Sequence, residues 1–231
     1  VMELGGSDAY IVLKDADIQL AAKECVSSRL KNGGQSCISG KRFIVDKKIV
    51  QPFTEAFVEE MKHYTIGNPL DSTNDLGPLA RIDLKDTLHQ QVLKSISKGA
   101  KQMWTGNVTG GENSAYYPCT VLTNVTPGMP AFDEELFGPV AAIIEAKDET
   151  HAIALANHSI YGLGGAVFTK NVNKGKLIAG KMIEAGSVFV NVQVNSDPRL
   201  PFGGIKESGF GRELGVLGIR EFVNIKSVVV R

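Results

Sequence analysis

An α/β fold, with a parallel or mixed sheet flanked by helices, is what the order of apolar segments predicts. Three observations carry this. Short apolar runs alternate with helical stripes of the roughly 10–15 residues usual in α/β crossovers. Clusters of Gly and Pro separate them. No internal repeat, low-complexity tract or flexible linker interrupts the alternation.

Residues 10–13 are the first apolar run and read as a strand. Asp15 or Asp17 can cap the helix that follows. Ile18, Ala21, Ala22, Cys25, Val26 and Leu30 fall at i, i+3, i+4, i+7, i+8 and i+12, the buried stripe of an amphipathic helix. Asn32-Gly33 ends it, so Cys37 stands in the loop just beyond a helix C-terminus. Residues 42–45 form the next strand, and Phe53, Ala56, Phe57, Met61 and Tyr64 a second stripe. Residues 65–80 hold Gly67, Pro69, Asp71, Asn74, Gly77 and Pro78 and read as a loop. Leu84, Leu88, Val92 and Ile96 mark a third helix, stopped by Gly99. Residues 102–105 read as a strand and 106–118 as a polar, glycine-rich surface excursion. Strands are expected at 121–125 and 140–146, around a loop with Pro127, Pro130, Gly138 and Pro139. A helix near 149–157, a strand at 166–169, a helix near 172–184 and a strand at 187–191 complete the alternation. Residues 192–212 are loop-like, and the apolar run 222–230 reads as a last strand. No helix follows to cover it, and an uncovered apolar edge invites pairing with another chain or domain.

Composition bounds the function. The chain has 231 residues, 43% hydrophobic and 22% charged, ordinary for a globular protein. Twenty-five basic residues balance 25 acidic ones, and no basic run exceeds two residues. A nucleic-acid groove needs a basic excess, so no nucleic-acid partner is expected. No uncharged apolar stretch approaches the roughly 20 residues that span a bilayer, and Glu3 and Asp8 spoil any signal-peptide pattern. No membrane partner is expected either. Three cysteines cannot make a full disulfide set, so a reducing, cytoplasmic compartment is the expected location. The start Val1-Met2 reads as a cut from a longer protein.

Cys37 lies in Asn32-Gly33-Gly34-Gln35-Ser36-Cys37. Small neighbours leave room at the sulfur, and loop amides there could stabilise a thiolate and a developing oxyanion. By itself the pattern leaves catalysis and plain loop packing open. Cys25 lies on the helix stripe and reads as core; Cys119, before its strand, reads as core or surface filler. Glu3, in Glu3-Leu4-Gly5-Gly6, is either a base beside a ligand or a solvated carboxylate near a chain end. His63, His89, His151 and His158 fall in or at the ends of helices without motif context, and no spacing suits a metal. A P-loop-like string from Gly175 to Lys181 has Met182 where Ser or Thr is needed and sits in a helical pattern. Glu134-Glu135-Leu136-Phe137-Gly138-Pro139 is an acidic turn, or a carboxylate pair for ribose hydroxyls. Pro201-Phe202-Gly203-Gly204 and Gly209-Phe210-Gly211-Arg212-Glu213 form a second dense glycine cluster.

These four pieces, in this order and with this separation of Glu3 and Cys37, resemble the aldehyde dehydrogenase superfamily. Asn32, Lys41-Arg42-Phe43 and Ala131-Phe132 look most like its succinate-semialdehyde dehydrogenase branch. The resemblance implies that Cys37 is the nucleophile and Glu3 the general base. It implies that Glu135 holds the nicotinamide ribose of NAD or NADP, that Phe137 packs near that end of the cofactor, and that Leu4 and Gly5 lie beside the nicotinamide. Ser36, Ile38 and Phe202 would line the pocket for a small aldehyde. Lys31, six residues before Cys37, and Arg199 are candidate cations for a distal carboxylate. The chain would be residues 1–205 of thiol-bearing catalytic domain and a C-terminal arm, 206–231, whose strand at 228–230 serves assembly of a homo-oligomer, a dimer or tetramer. The cofactor domain and an oxyanion-hole Asn of the N-terminal half are not in these 231 residues, so the isolated chain is expected to be inactive. Relatives that acylate coenzyme A often lack a carboxylate at the Glu3 position, which favours an acid product. Another aldehyde, coenzyme A acylation and a non-catalytic assembly fragment stay open as alternatives.

Overall fold

A computed structural model describes residues 1–108 and 114–231. The part of the expected excursion at 109–113 lies outside them. The elements run β1 (Met2–Glu3), β2 (Asp8–Val12), α1 (Ile18–Leu30), β3 (Gly40–Asp46), α2 (Val50–Lys62), α3 (Ile82–Ser97), β4 (Lys101–Thr105) and β5 (Thr120–Thr123). They continue with α4 (Pro130–Asp133), β6 (Val140–Ala146), α5 (Glu149–Asn157), β7 (Tyr161–Gly162), β8 (Gly164–Phe168) and α6 (Val172–Lys181). Last come β9 (Ser187–Val190), β10 (Ile205–Lys206), β11 (Gly209–Phe210) and α7 (Gly215–Arg220).

Seven strands form one sheet in the order β4-β5-β6-β3-β2-β8-β9. All neighbours pair in parallel except β4 with β5. Helices cover both faces, so central strands must be apolar on both sides. Along β2, Tyr10 and Val12 enter a cluster with α1 and α2, while Ala9 and Ile11 enter one on the opposite face with α3 to α6. β3 divides the same way, with Phe43 and Val45 against Ile44. The predicted stripe of α1 is buried at Ala21, Ala22, Cys25, Val26 and Leu30. Of the two candidate caps, Asp17 accepts the Leu20 amide at 3.1 Å. Asp15 instead accepts the Thr169 hydroxyl at 2.8–2.9 Å, tying the end of β2 to the end of β8.

Three readings differ from the structure. The loop expected between the strands at 121–125 and 140–146 contains the short helix α4. The loop-like 192–212 contains two short strands, β10 on β7 and β11 on β1, both antiparallel. The strand expected over 222–230 is not formed. Residues 224–231 carry no helix or strand, and Val228, Val229 and Val230 are 77–88% exposed. β-propensity alone makes no strand: the backbone needs a ladder partner, and nothing among the described residues pairs with this segment. No helix among them is long and apolar enough to cross a membrane.

Candidate active site

Cys37 sits in the turn from α1 to β3. After Leu30 the chain makes a 3-10 turn, Lys31–Gly34, with Asn32 (φ 53°), Gly33 (63°) and Gly34 (78°) in the left-handed region. Gly34 has a second constraint, because a Cβ there would strike the Gly138 carbonyl. Gln35 locks the turn: its Oε1 accepts the Ala80 amide at 2.8 Å and its Nε2 donates to the Asn32 carbonyl at 3.2 Å. Arg29, fully buried, donates to the Gly34 carbonyl at 2.6 Å.

Lys41 is the second residue of β3. Its Nζ donates to the carbonyls of Ser36 (2.9 Å), Cys37 (2.9 Å) and Ser39 (3.3 Å) and lies 3.3 Å from Glu135 Oε1. Burial and the neighbouring Arg29 push its pKa down to about 8, while Asp8 and Glu135 hold it up. Glu135 Oε1 also accepts the Gly6 amide at 3.0 Å. Gly6 in turn backs onto the thiol turn, where a Cβ would stand 2.6 Å from the Cys37 carbonyl.

The strand that carries Glu3 is held from the other side. β1 pairs with β11, Glu3 opposite Gly209. The Leu4 amide donates to the Ser208 carbonyl at 3.1 Å. The buried Ser208 hydroxyl donates to the Gly5 carbonyl at 2.7 Å and accepts the Gly162 amide at 3.0 Å. Phe202 and Glu213 exchange backbone hydrogen bonds of 2.7 and 2.8 Å. The Glu3–Gly6 and Glu134–Pro139 segments therefore meet the Cys37 turn directly, and the 201–213 segment joins them through β1.

Glu3 has lost water without gaining a partner: both carboxylate oxygens are inaccessible and lack a full hydrogen bond. Burial raises its pKa, and the nearby Glu213 raises it further. Arg212 and the approaching Gly204 amide oppose this. Such a carboxylate binds a proton more readily than a solvated one. Cys37 is half-buried. Burial pushes its thiol up, Lys41 and the Ile38 amide pull it down, and Asp8 and Glu135 raise it. Asp8 is buried behind the turn, with Oδ1 accepting the Gly164 amide at 2.9 Å and Oδ2 unpartnered. Burial pushes its pKa up to about 6.

The remaining sequence candidates divide. Leu4 and Phe137 are 48% and 38% exposed, apolar surface without cover in this chain. Gly5 lies against Glu135, whose Oε2 is 2.7 Å from where a Gly5 Cβ would stand. Ile38 and Phe202 are buried in the cluster with α1 and α2. Phe202 also lines a cavity of about 360 Å³ with Phe189, Asn195 and Leu200. Lys31 reaches that cavity through Asn195, whose Oδ1 accepts its ammonium at 2.7 Å. Arg199 is held in a fork by Asp197 at 2.6 and 2.9 Å. Two cavities of about 490 Å³ lie elsewhere, and neither is lined by Cys37. Among the described residues no group of His, Cys, Asp or Glu is placed to hold a metal.

Lys41, Asp8, Arg29 and Ser208 escaped the sequence reading as site residues. The expected strand at 42–45 stopped short of Lys41, whereas β3 begins at Gly40 and takes Lys41 into an interior parallel strand, where a side chain on either face is buried and a charge must be paired.

The chain matches the aldehyde dehydrogenase family over residues 1–228. It belongs to that family. It is 50% identical over 228 residues to the succinate semialdehyde dehydrogenase [NAD(P)+] of Escherichia coli, covering 99% of this chain and 49% of that protein. The succinic semialdehyde dehydrogenase of Streptococcus pyogenes, solved with NADP+, superposes with a TM-score of 0.93 at 39% identity, covering 99% of this chain and 50% of that one. An aldehyde dehydrogenase of Mycobacterium tuberculosis complexed with NAD+ gives 0.94 at 36% identity, covering 99% and 47%. The chain thus spans about half the length of the relatives it matches. The predicted α/β class and the family resemblance both hold.

Proposed function

We infer that the full-length protein carrying this aldehyde dehydrogenase chain oxidises a small aldehyde, succinate semialdehyde first among candidates, to its acid with NAD or NADP. The observation that carries this is the convergence of the Glu3, Cys37 and Glu135 segments through the Gly6–Glu135 and Lys41–Glu135 contacts, with the 202–213 segment held to the Glu3 strand by the β1–β11 pairing. The names of the relatives supply the substrate.

The Cys37 thiolate attacks the aldehyde carbon to form a thiohemiacetal. Glu135 fits the ribose of a nicotinamide cofactor: Oε1 is anchored by Gly6 and Lys41, and Oε2 takes no hydrogen bond among the described residues. Gly5 leaves a cradle that a Cβ would fill, and Leu4 and Phe137 present uncovered apolar surface beside it. When bound, that cofactor supplies a hydride acceptor. Glu3 then takes a proton from water at a carboxylate oxygen, so that the water oxygen attacks the Cys37 thioester and the acid departs. The raised pKa of Glu3 suits a base working nearer neutrality. Of the two candidate cations, Lys31 serves a distal carboxylate better, because its partner Asn195 is neutral while the Arg199 charge is already matched by Asp197. Three free thiols agree with a reducing, cytoplasmic setting, and the uncovered 228–230 segment with a place in an oligomer.

The test uses the full-length protein, succinate semialdehyde and NAD or NADP. Wild type should release succinate with and without coenzyme A. Cys37→Ser should be inactive. Glu3→Gln should form its thioester and then turn over about 10²–10⁴-fold more slowly. A Cys37→Ser variant that keeps its rate sinks the reading, and an acyl-coenzyme A product replaces it with the acylating alternative.

A further inference from the structure

We propose that Lys41 is a positioning residue for the reaction at Cys37: its buried ammonium clamps the thiol-bearing turn to the Glu135 carboxylate and supplies the positive charge that favours the thiolate. This rests on Cys37 being the nucleophile.

The side chain of Lys41 is 1% exposed. Burying an ammonium costs several kcal/mol unless partners compensate, and a methionine would fill similar space without that cost. The partners are specific. Three backbone carbonyls, two of them from Ser36 and Cys37, and one carboxylate surround three N–H donors. The turn is thereby gripped at the nucleophile itself. The same ammonium holds Glu135 Oε1, which leaves Oε2 to a ligand, so one charge orders both halves of the site. The ionisable groups around it are Arg29 from α1, Asp8 from β2, Glu135 from the turn after α4, and the Cys37 thiol. Arg29 opposes the lysine charge, whereas Asp8 and Glu135 sustain it. At the thiol the balance reverses: Asp8 and Glu135 disfavour a thiolate, and Lys41 is the strongest influence opposing burial. Without Lys41 the Asp8 and Glu135 carboxylates would both disfavour a thiolate at Cys37 with no side-chain charge against them.

The experiment measures alkylation of Cys37 by iodoacetamide in the full-length protein from about pH 6 to about pH 10, bracketing an ordinary thiol. Lys41→Met should react about tenfold more slowly at neutral pH, equivalent to one pKa unit. It should converge on the wild-type rate as pH rises through about 8, where the wild-type lysine loses its own charge. Lys41→Arg, charged throughout, should keep the fast rate at neutral pH. A folded Lys41→Met with the wild-type rate overturns the proposal. So does one slowed equally at every pH, which marks a packing role alone. If Lys41→Met does not fold, the wild-type profile decides: two steps with the first near 8 support the linkage, and a single ionisation overturns it. Turnover of Cys37→Ser is scored separately. Its survival removes the nucleophile reading, whereas the alkylation series fails or succeeds on Lys41 alone.

Discussion

The carbonyl of Gly138 lies where a side chain on Gly34 would have to begin. Two glycines about a hundred residues apart in sequence thus hold the thiol turn against the acidic turn, backbone to backbone. Gly34→Ala adds a methyl where φ is 78° and the space is filled by main chain. The strain should cost roughly 1–3 kcal/mol, read as a lower urea midpoint. In the full-length protein, activity should fall further than stability, because the displaced turn carries the proposed nucleophile Cys37.

Ser208 links three segments with one hydroxyl. Ser208→Ala leaves the Gly162 amide and the Gly5 carbonyl without this partner in a buried place. The expected loss is about 1–3 kcal/mol in chemical unfolding. An unchanged midpoint would show that water replaces the hydroxyl.

Asp8 gives a pH signature. Its folded pKa is raised to about 6 from the ordinary 3.8, chiefly by burial. The native state therefore binds the proton more tightly than the unfolded state, and this group's contribution to stability is lost as pH rises from about 4 through about 6. Asp8→Asn removes that dependence. Relative to wild type, the variant should gain as much as about 3 kcal/mol between acid and neutral pH, measured as the difference of two urea titrations. A difference that does not move with pH rejects the assignment.

Thiol labelling should be selective. Cys25 and Cys119 are buried, and burial pushes both thiols up, Cys119 to about 12. Cys37 is the half-buried one. Brief treatment of the native protein with iodoacetamide should modify Cys37 alone, and urea should expose the other two. Peptide mapping distinguishes these results, and early label on Cys25 would contradict the fold around α1.

Most of the fold was legible in the order of residues because helices and strands have different periods, and both faces of the sheet are covered. The stripe from Ala21 to Leu30 and the runs that became β2, β3 and β6 needed no tertiary knowledge. The short strands β1, β7, β10 and β11 could not be read, since two residues carry no period and their pairing is antiparallel contact between distant segments. The 222–230 run has strand composition, and no partner among the described residues completes its ladder.

The residues of the site divide along the same line. Cys37, Glu3 and Glu135 could be named as candidates from sequence because the four motifs in order resemble the aldehyde dehydrogenase superfamily, although each motif by itself left a bland reading open. Lys41, Asp8 and Ser208 could not, because what distinguishes them is burial and the partners it forces on them. A lysine in a sequence is a surface charge until folding removes its water. Sequence alone determined the α/β class, the family and the candidate chemistry. Only the tertiary structure decided that one buried ammonium joins the thiol turn to Glu135, because that contact exists only once β3, the turn before it and the turn after α4 occupy the same few ångströms.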